Sequence, residues 1–176
     1  EAGVRSIEHG NLLTSENAEL MASKGAFLVP TLTVFDVLSR EGKNEGMDAF
    51  TLQKLGEVRK GGLNAVEQAY RAGVKIASGT DIIGPFQHLK GREFAIKGEV
   101  MTPMETIVSA TRTNAELLNV SDRLGTVEPG KIADLIVMDV ALPIIDGLEV
   151  ARIIRSQPTF ARIPIVLLSA KIERAQ

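Results

Sequence analysis

The sequence predicts an α/β protein built on parallel strands, and three observations carry that expectation. Short apolar runs at residues 4–10, 26–32, 74–81, 133–138 and 163–170 alternate with stretches of helical periodicity, the pattern of strand–helix–strand crossovers. Glycine and proline sit at the ends of those runs, as at Pro30 and Pro129-Gly130, where they stop a strand without breaking its ladder. Residues 102–105 give a helix start: Thr102 as cap, Pro103 at the first helical position and Glu105 three residues after the cap.

Taken in order, "VRSIEHG" reads as a strand closing at His9. Thr14 or Ser15 can cap the next helix, which holds Leu20 and Met21 and stops at Lys24-Gly25. "AFLVPTL" is the second strand, and polar, Gly-containing residues 41–46 form a loop. A long helix spans about residues 48–72, with Leu52, Leu55, Val58, Leu63, Val66 and Tyr70 near helical spacing and a kink expected at Gly61-Gly62. "VKIASGTD" is the third strand, followed by a loop carrying Gly84, Pro85 and His88. Helices over about 91–98 and from Thr102 through "ELL" come next. A wholly apolar, buried strand follows at 133–138, then a helix at 147–156 and a fifth strand at 163–170. Parallel strands throughout would let all five share one open sheet.

Composition narrows the chemistry. The 176 residues suit one ordinary domain. A net charge of −2 and 4% aromatics argue against nucleic acid as partner. No apolar run approaches the length of a membrane helix, no signal peptide is visible, and the expected compartment is the cytoplasm. The chain opens at Glu1 inside an apparent strand, so a natural N-terminus is expected upstream. "NVS" at Asn119 is a glycosylation sequon only in a secreted eukaryotic protein. Cysteine is absent and only His9 and His88 represent histidine, so any metal site must lean on carboxylates. His9 and Asp81 each close a strand and so share the C-terminal rim of the sheet, where barrel enzymes place their chemistry. Imidazole and carboxylate are donors that a hydrolytic zinc ion takes.

Five blocks in order, "AGVRSIEHG", "MASKGAFLVPTL", "AGVKIASGTD", "MTPMETIVSATRTNAELL" and "LGTVEPGKIADLIVMD", resemble the C-terminal part of metal-dependent amidohydrolases of the imidazolonepropionase and prolidase-like branch. The resemblance implies the last three strand–helix units of a (β/α)8 barrel over residues 1–132. It puts His9 at a metal ligand, Asp81 at the ligand that also takes a proton from the attacking water, and His88 beside the substrate. The implied cofactor is Zn²⁺ and the implied substrate a small dipeptide-like or cyclic amide. The family's remaining ligands fall before Glu1, so the chain alone is expected to bind zinc weakly and to hydrolyse nothing measurably.

Residues 133–176 carry a second pattern, D-x-x-x-P-x-x-D-G, as Asp139, Pro143, Asp146 and Gly147, followed by "ARIPIVLLSAK". It resembles the middle of a response-regulator receiver, of flavodoxin-like type. The resemblance implies Asp139 as phosphoacceptor, Ser169 as the hydroxyl that turns toward the phosphoryl group, and Mg²⁺ as the ion required. The upstream sequence offers no acidic pair to hold that Mg²⁺. The combined expectation is a partial barrel continued by two receiver strands and a helix, with the seam at 133–139. Its exposed sheet edges would favour self-association. Whether the chain is an active enzyme stays open at this point.

Overall fold

β1 (Ser6–Glu8), β2 (Phe27–Val29) and β3 (Lys75–Ile76) form a parallel three-stranded sheet in that order, with Ser6 opposite Phe27 and Phe27 opposite Lys75. They belong to a computed structural model that describes residues 3–169. The chain divides into two units at Pro129 and Gly130. β2 is the central strand and is buried along its length.

The helices of the first unit follow their local chemistry. α1 (Ser15–Ser23) starts where the Thr14 hydroxyl accepts the Asn17 amide, and it ends at Lys24 before Gly25, whose φ of +65° a side chain would resist. α2 (Leu32–Glu41) follows β2 directly and was not legible as a helix in the sequence. α3 (Ala49–Arg71) is capped by Asp48, which accepts the Thr51 amide at 2.9 Å. Ala18 and Met21 of α1 and Val66 and Ala69 of α3 close over Leu28 and Ile76 to make the core. A 3₁₀ turn at Gly84–Leu89 leads to α4 (Arg92–Lys97). The capping box predicted at Thr102 and Glu105 is formed and opens α5 (Pro103–Ala110). The helix expected to continue through "ELL" is broken at Thr111 (φ −118°, ψ −88°), so α6 (Arg112–Leu117) is a separate element.

α3 runs as one continuous helix through Gly61 and Gly62. Their role is close approach. A Cβ at Gly61 would stand 2.5 Å from the Asn11 carbonyl oxygen, and one at Gly62 would stand 2.7 Å from Asn11 Nδ2. Gly56, in the same helix, meets nothing within 4 Å. Gly62→Ala should therefore destabilise by about 1–3 kcal/mol through overpacking, and Gly56→Ala should stabilise by about 0.5–1 kcal/mol. Urea unfolding of the two variants checks both signs, and equal shifts would refute the packing role.

The second unit holds β4 (Ile136–Asp139), α7 (Gly147–Ser156) and β5 (Ile165–Leu168), with β4 and β5 paired in parallel. The expectation of one sheet shared by all five strands is not met, because β4 and β5 form their own two-stranded sheet. β3 does not go on pairing beyond its end: the Asn114 side chain donates to the Ser78 carbonyl and accepts the Ser78 amide, both at 2.9 Å. Those groups would otherwise bond a further strand. The strand predicted as buried is also only half covered, with Val137 56% exposed. The expected fifth strand reached residue 170, which lies outside the described residues.

Candidate functional site

A residue in left-handed backbone lies beyond the end of each strand of the first sheet, directly after β1, two residues after β2 and in the loop five residues after β3. His9 follows β1 at φ +65°, Thr31 follows β2 and Pro30 at φ +48°, and Asp81 follows β3 at φ +50°. Left-handed backbone is tolerated by His and Asp but unfavourable for a β-branched threonine. Three such residues at one rim mark a place where the fold holds backbone strain, and such strain gathers at functional sites.

His9 is half-buried, and its amide donates to the Val29 carbonyl at 2.8 Å, which fixes its backbone to β2. Its Nδ1 lies 2.5 Å from the Thr31 hydroxyl, and the edge of its ring meets Phe35 with centroids 5.7 Å apart. Nδ1 is thereby occupied, which leaves Nε2 as the ring nitrogen for any ligand. The Asp81 side chain is exposed and takes no hydrogen bond from any described residue. His9 directly follows β1, and Asp81 lies in the loop five residues beyond the end of β3, the opposite outer strand of the sheet. His88 lies exposed in the 3₁₀ turn, with Nδ1 3.0 Å from the Pro85 carbonyl. Beside His9 an open cleft of about 940 Å³ runs along β1, lined by Ile7, Gly10, Asn11, Leu13 and Met21 among others.

His9 and Asp81 are the imidazole and carboxylate that follow the two outer strands in the chain. Among the described residues no three His, Asp or Glu side chains converge to hold a metal ion. These two can supply only part of a four-coordinate zinc shell.

Sequence reading missed the groups that hold this rim. Glu93 is 1% exposed and sits at the N-terminus of α2, where its carboxylate accepts the Leu32 amide at 3.2 Å and the Thr33 amide and hydroxyl at 2.8 and 2.6 Å. Lys97, one turn later in α4, is fully buried. Its Nζ donates to Ser109 Oγ at 2.6 Å and to the Ala77 carbonyl at 3.4 Å. Burial lowers the Lys97 pKa to about 8, although the Glu93 charge opposes the shift. Together they tie the end of β2 to the end of β3. The available signal was the i, i+4 spacing of two opposite charges in "REFAIK", a spacing that on most helices marks a solvated face.

In the second unit, Asp139 ends β4 and Ser169 follows Leu168, the residue paired with Asp139 across the ladder. Asp139 Oδ1 accepts the Ala141 amide at 3.1 Å, and Asp146 caps α7 by accepting the Leu148 amide at 2.6 Å. Gly147 is required where it stands, because a Cβ there would collide with the Asp139 carbonyl oxygen.

Parallel strands joined through helices define an α/β fold fragment, consistent with a portion of a (β/α)8 barrel. Residues 1–164 match the amidohydrolase family. The chain belongs to that family. The match crosses residues 133–139 and α7, where the sequence was expected to pass into a receiver, so the hydrolase pattern does not stop at that seam.

The chain is 36% identical to the ochratoxinase of Aspergillus niger over 118 residues, which cover 66% of this chain and 24% of that protein. It is 38% identical to the imidazolonepropionase of Pyrobaculum arsenaticum over 79 residues, covering 43% of this chain and 20% of that one. Among solved structures, a prolidase complexed with N-methylphosphonate-L-proline aligns with a TM-score of 0.71 at 40% identity, over 75% of this chain and 32% of the prolidase. A Xaa-Pro dipeptidase with bound methionine aligns with a TM-score of 0.69 at 36% identity, over 76% of this chain and 33% of the dipeptidase. The chain thus spans about a quarter of the curated relative's length and a third of these structures.

Proposed function

We propose that this chain is the portion of a metal-dependent amidohydrolase that carries two of its zinc donors, His9 and Asp81. The whole enzyme would hydrolyse a C–N bond in a small dipeptide-like or cyclic amide. The observation that supports the reading is that both residues follow parallel strands of one sheet, in left-handed backbone, with His9 oriented by Thr31. A bound zinc ion would supply a water of lowered pKa. The carboxylate of Asp81, free of described donors, would ligate and take that water's proton. His88 would stand on the substrate side. The apolar cleft beside His9 suits a small hydrophobic side chain. The prolidase, dipeptidase and imidazolonepropionase relatives support the substrate class.

Zinc binding by the purified chain tests the assignment. Weak, substoichiometric binding is expected, falling about 10-fold or more in His9→Ala and in Asp81→Asn. Zinc binding that survives both substitutions would sink it.

A second reading rests on one observation: Asp139 and the residue before Ser169 face each other across adjacent parallel strand ends. That is the arrangement an aspartyl phosphoacceptor and its hydroxyl partner would need, with Mg²⁺ supplied from solution. A mass gain on treatment with acetyl phosphate, abolished by Asp139→Asn, would establish it, and no gain would remove it.

A further inference from the structure

Three arginines from three helices meet at one buried carboxylate. The Asp36 side chain, one turn into α2, is 2% exposed, while those of Arg40, Arg59 and Arg92 are 56%, 46% and 38% exposed. Arg40 donates from Nε and Nη2 to Oδ1 at 3.1 and 3.0 Å, and Arg59 Nε donates to the same oxygen at 2.8 Å. Arg92 donates from Nε and Nη2 to Oδ2 at 3.1 and 2.6 Å. Burial pushes the Asp36 carboxyl up, but hydrogen bonds from Arg59, Arg92 and Arg40 more than offset it and hold the group below the usual carboxylate value.

The ionised Asp36 cancels one of three positive charges. Among the described residues these three arginines form ion pairs with Asp36 alone. Glu93, next to Arg92 in the chain, is turned to the α2 N-terminus. Glu57, two residues from Arg59, pairs with Lys54 at 3.0 Å. Glu41, beside Arg40, accepts from Asn44. Three guanidinium groups thus share one carboxylate, and their outer edges reach solvent.

Arg59 commits only its Nε–H, and its two terminal nitrogens have no acceptor among the described residues. Nη1 of Arg40 and of Arg92 is likewise uncommitted. One arginine would have answered Asp36. Crowding three guanidinium groups onto one acceptor sets like charges against each other at short range, a cost that a second anion would relieve.

The geometry points to an oxyanion-binding site formed by Arg40, Arg59 and Arg92, with Asp36 as the fixed floor that aims them, for the phosphate or carboxylate group of a small solute. Guanidinium forks match both groups in shape, and such charge-assisted bonds are the strong ones. The site uses none of the rim donors and stands whether or not the hydrolase reading does.

Titrating the chain separately with inorganic phosphate and with acetate, while following the arginine Nε–H resonances, tests it. Saturable shifts at Arg40, Arg59 and Arg92 are expected with at least one of the two anions, and the anion that saturates names the group. Arg59→Gln should weaken binding about 10-fold or more. Arg71→Gln, which removes an exposed cation of the same helix, should leave it unchanged. No saturable shift with either anion overturns the site, as does equal loss in Arg71→Gln. If Arg59→Gln proves unfolded by circular dichroism, Arg40→Gln, at the most exposed of the three, carries the same expectation.

Discussion

Replacing Glu93 by alanine is expected to cost about 3–5 kcal/mol of folding stability, because several buried donors lose their charged acceptor at once. Three separate losses combine at this site. The Leu32 and Thr33 amides, among the first N–H groups of α2, lose their acceptor, and helix N-termini buried without partners are costly. The Thr33 hydroxyl loses the same carboxylate. Lys97, fully buried, loses the negative charge that favours its ammonium form. For a chain of this size the loss corresponds to a fall in Tm on the order of 10 °C. Glu93→Gln, which keeps the shape and one acceptor oxygen, should lose less. Thermal unfolding of the two variants is the measurement. A loss below about 1 kcal/mol in Glu93→Ala, the size of an ordinary surface effect, would mean that Glu93 does not anchor α2.

Lys97 should make the protein more stable as the solution becomes alkaline. Its folded pKa is about 8 against 10.5 for the free side chain. Between those values the unfolded chain holds the proton and the folded chain does not, so the unfolded state binds more protons and stability rises with pH. Below about pH 8 both states are charged and the penalty of burying the ammonium is present in full. At about 1.4 kcal/mol per pH unit, the whole window amounts to about 3 kcal/mol. Tyr70 acts in the opposite direction: the hydrogen bond to Glu105 raises its pKa, so it works against stability as the pH rises beyond the ordinary tyrosine value. The cleanest comparison is therefore denaturant unfolding at pH 8 and 9.5, in the parent and in Lys97→Met. A rise in the parent that the variant lacks is expected. An identical slope in both would assign the effect to another group.

Strand and helix order was legible in the sequence because apolar runs and caps are local signals. The Thr102–Glu105 capping box, the Asp48 end of α3 and the helix at 147–156 all follow from residues within one turn. Legibility failed where a distant group decides the outcome. α2 begins directly after β2, and its first amides are satisfied by Glu93, some sixty residues away, so nothing local announces a helix start. Gly61 and Gly62 looked like a hinge, because the loop residue Asn11 that presses against them is not visible from the helix itself. The sharing of one sheet by all strands was inferred from apolar content, which says that a strand can be covered but not by what. His9 and Asp81 were read from strand ends alone, and β3 in fact ends at Ile76, before Asp81. Thr31, Asp36 and Lys97 were not legible, since their importance comes from partners brought together by the fold.

The left-handed backbone at His9, Thr31 and Asp81 bears on how this protein can be improved. Glycine would relax the backbone at each of the three, most at the β-branched Thr31, where the gain is about 1–2 kcal/mol. A library selected only for heat resistance would thus be drawn to the positions the proposed chemistry needs. One selected for turnover in the complete enzyme should keep all three side chains and accept the lower melting point. Divergence of the two selections at residues 9, 31 and 81, and agreement at Gly56, would show where this fold has given up durability in order to hold its donors in place.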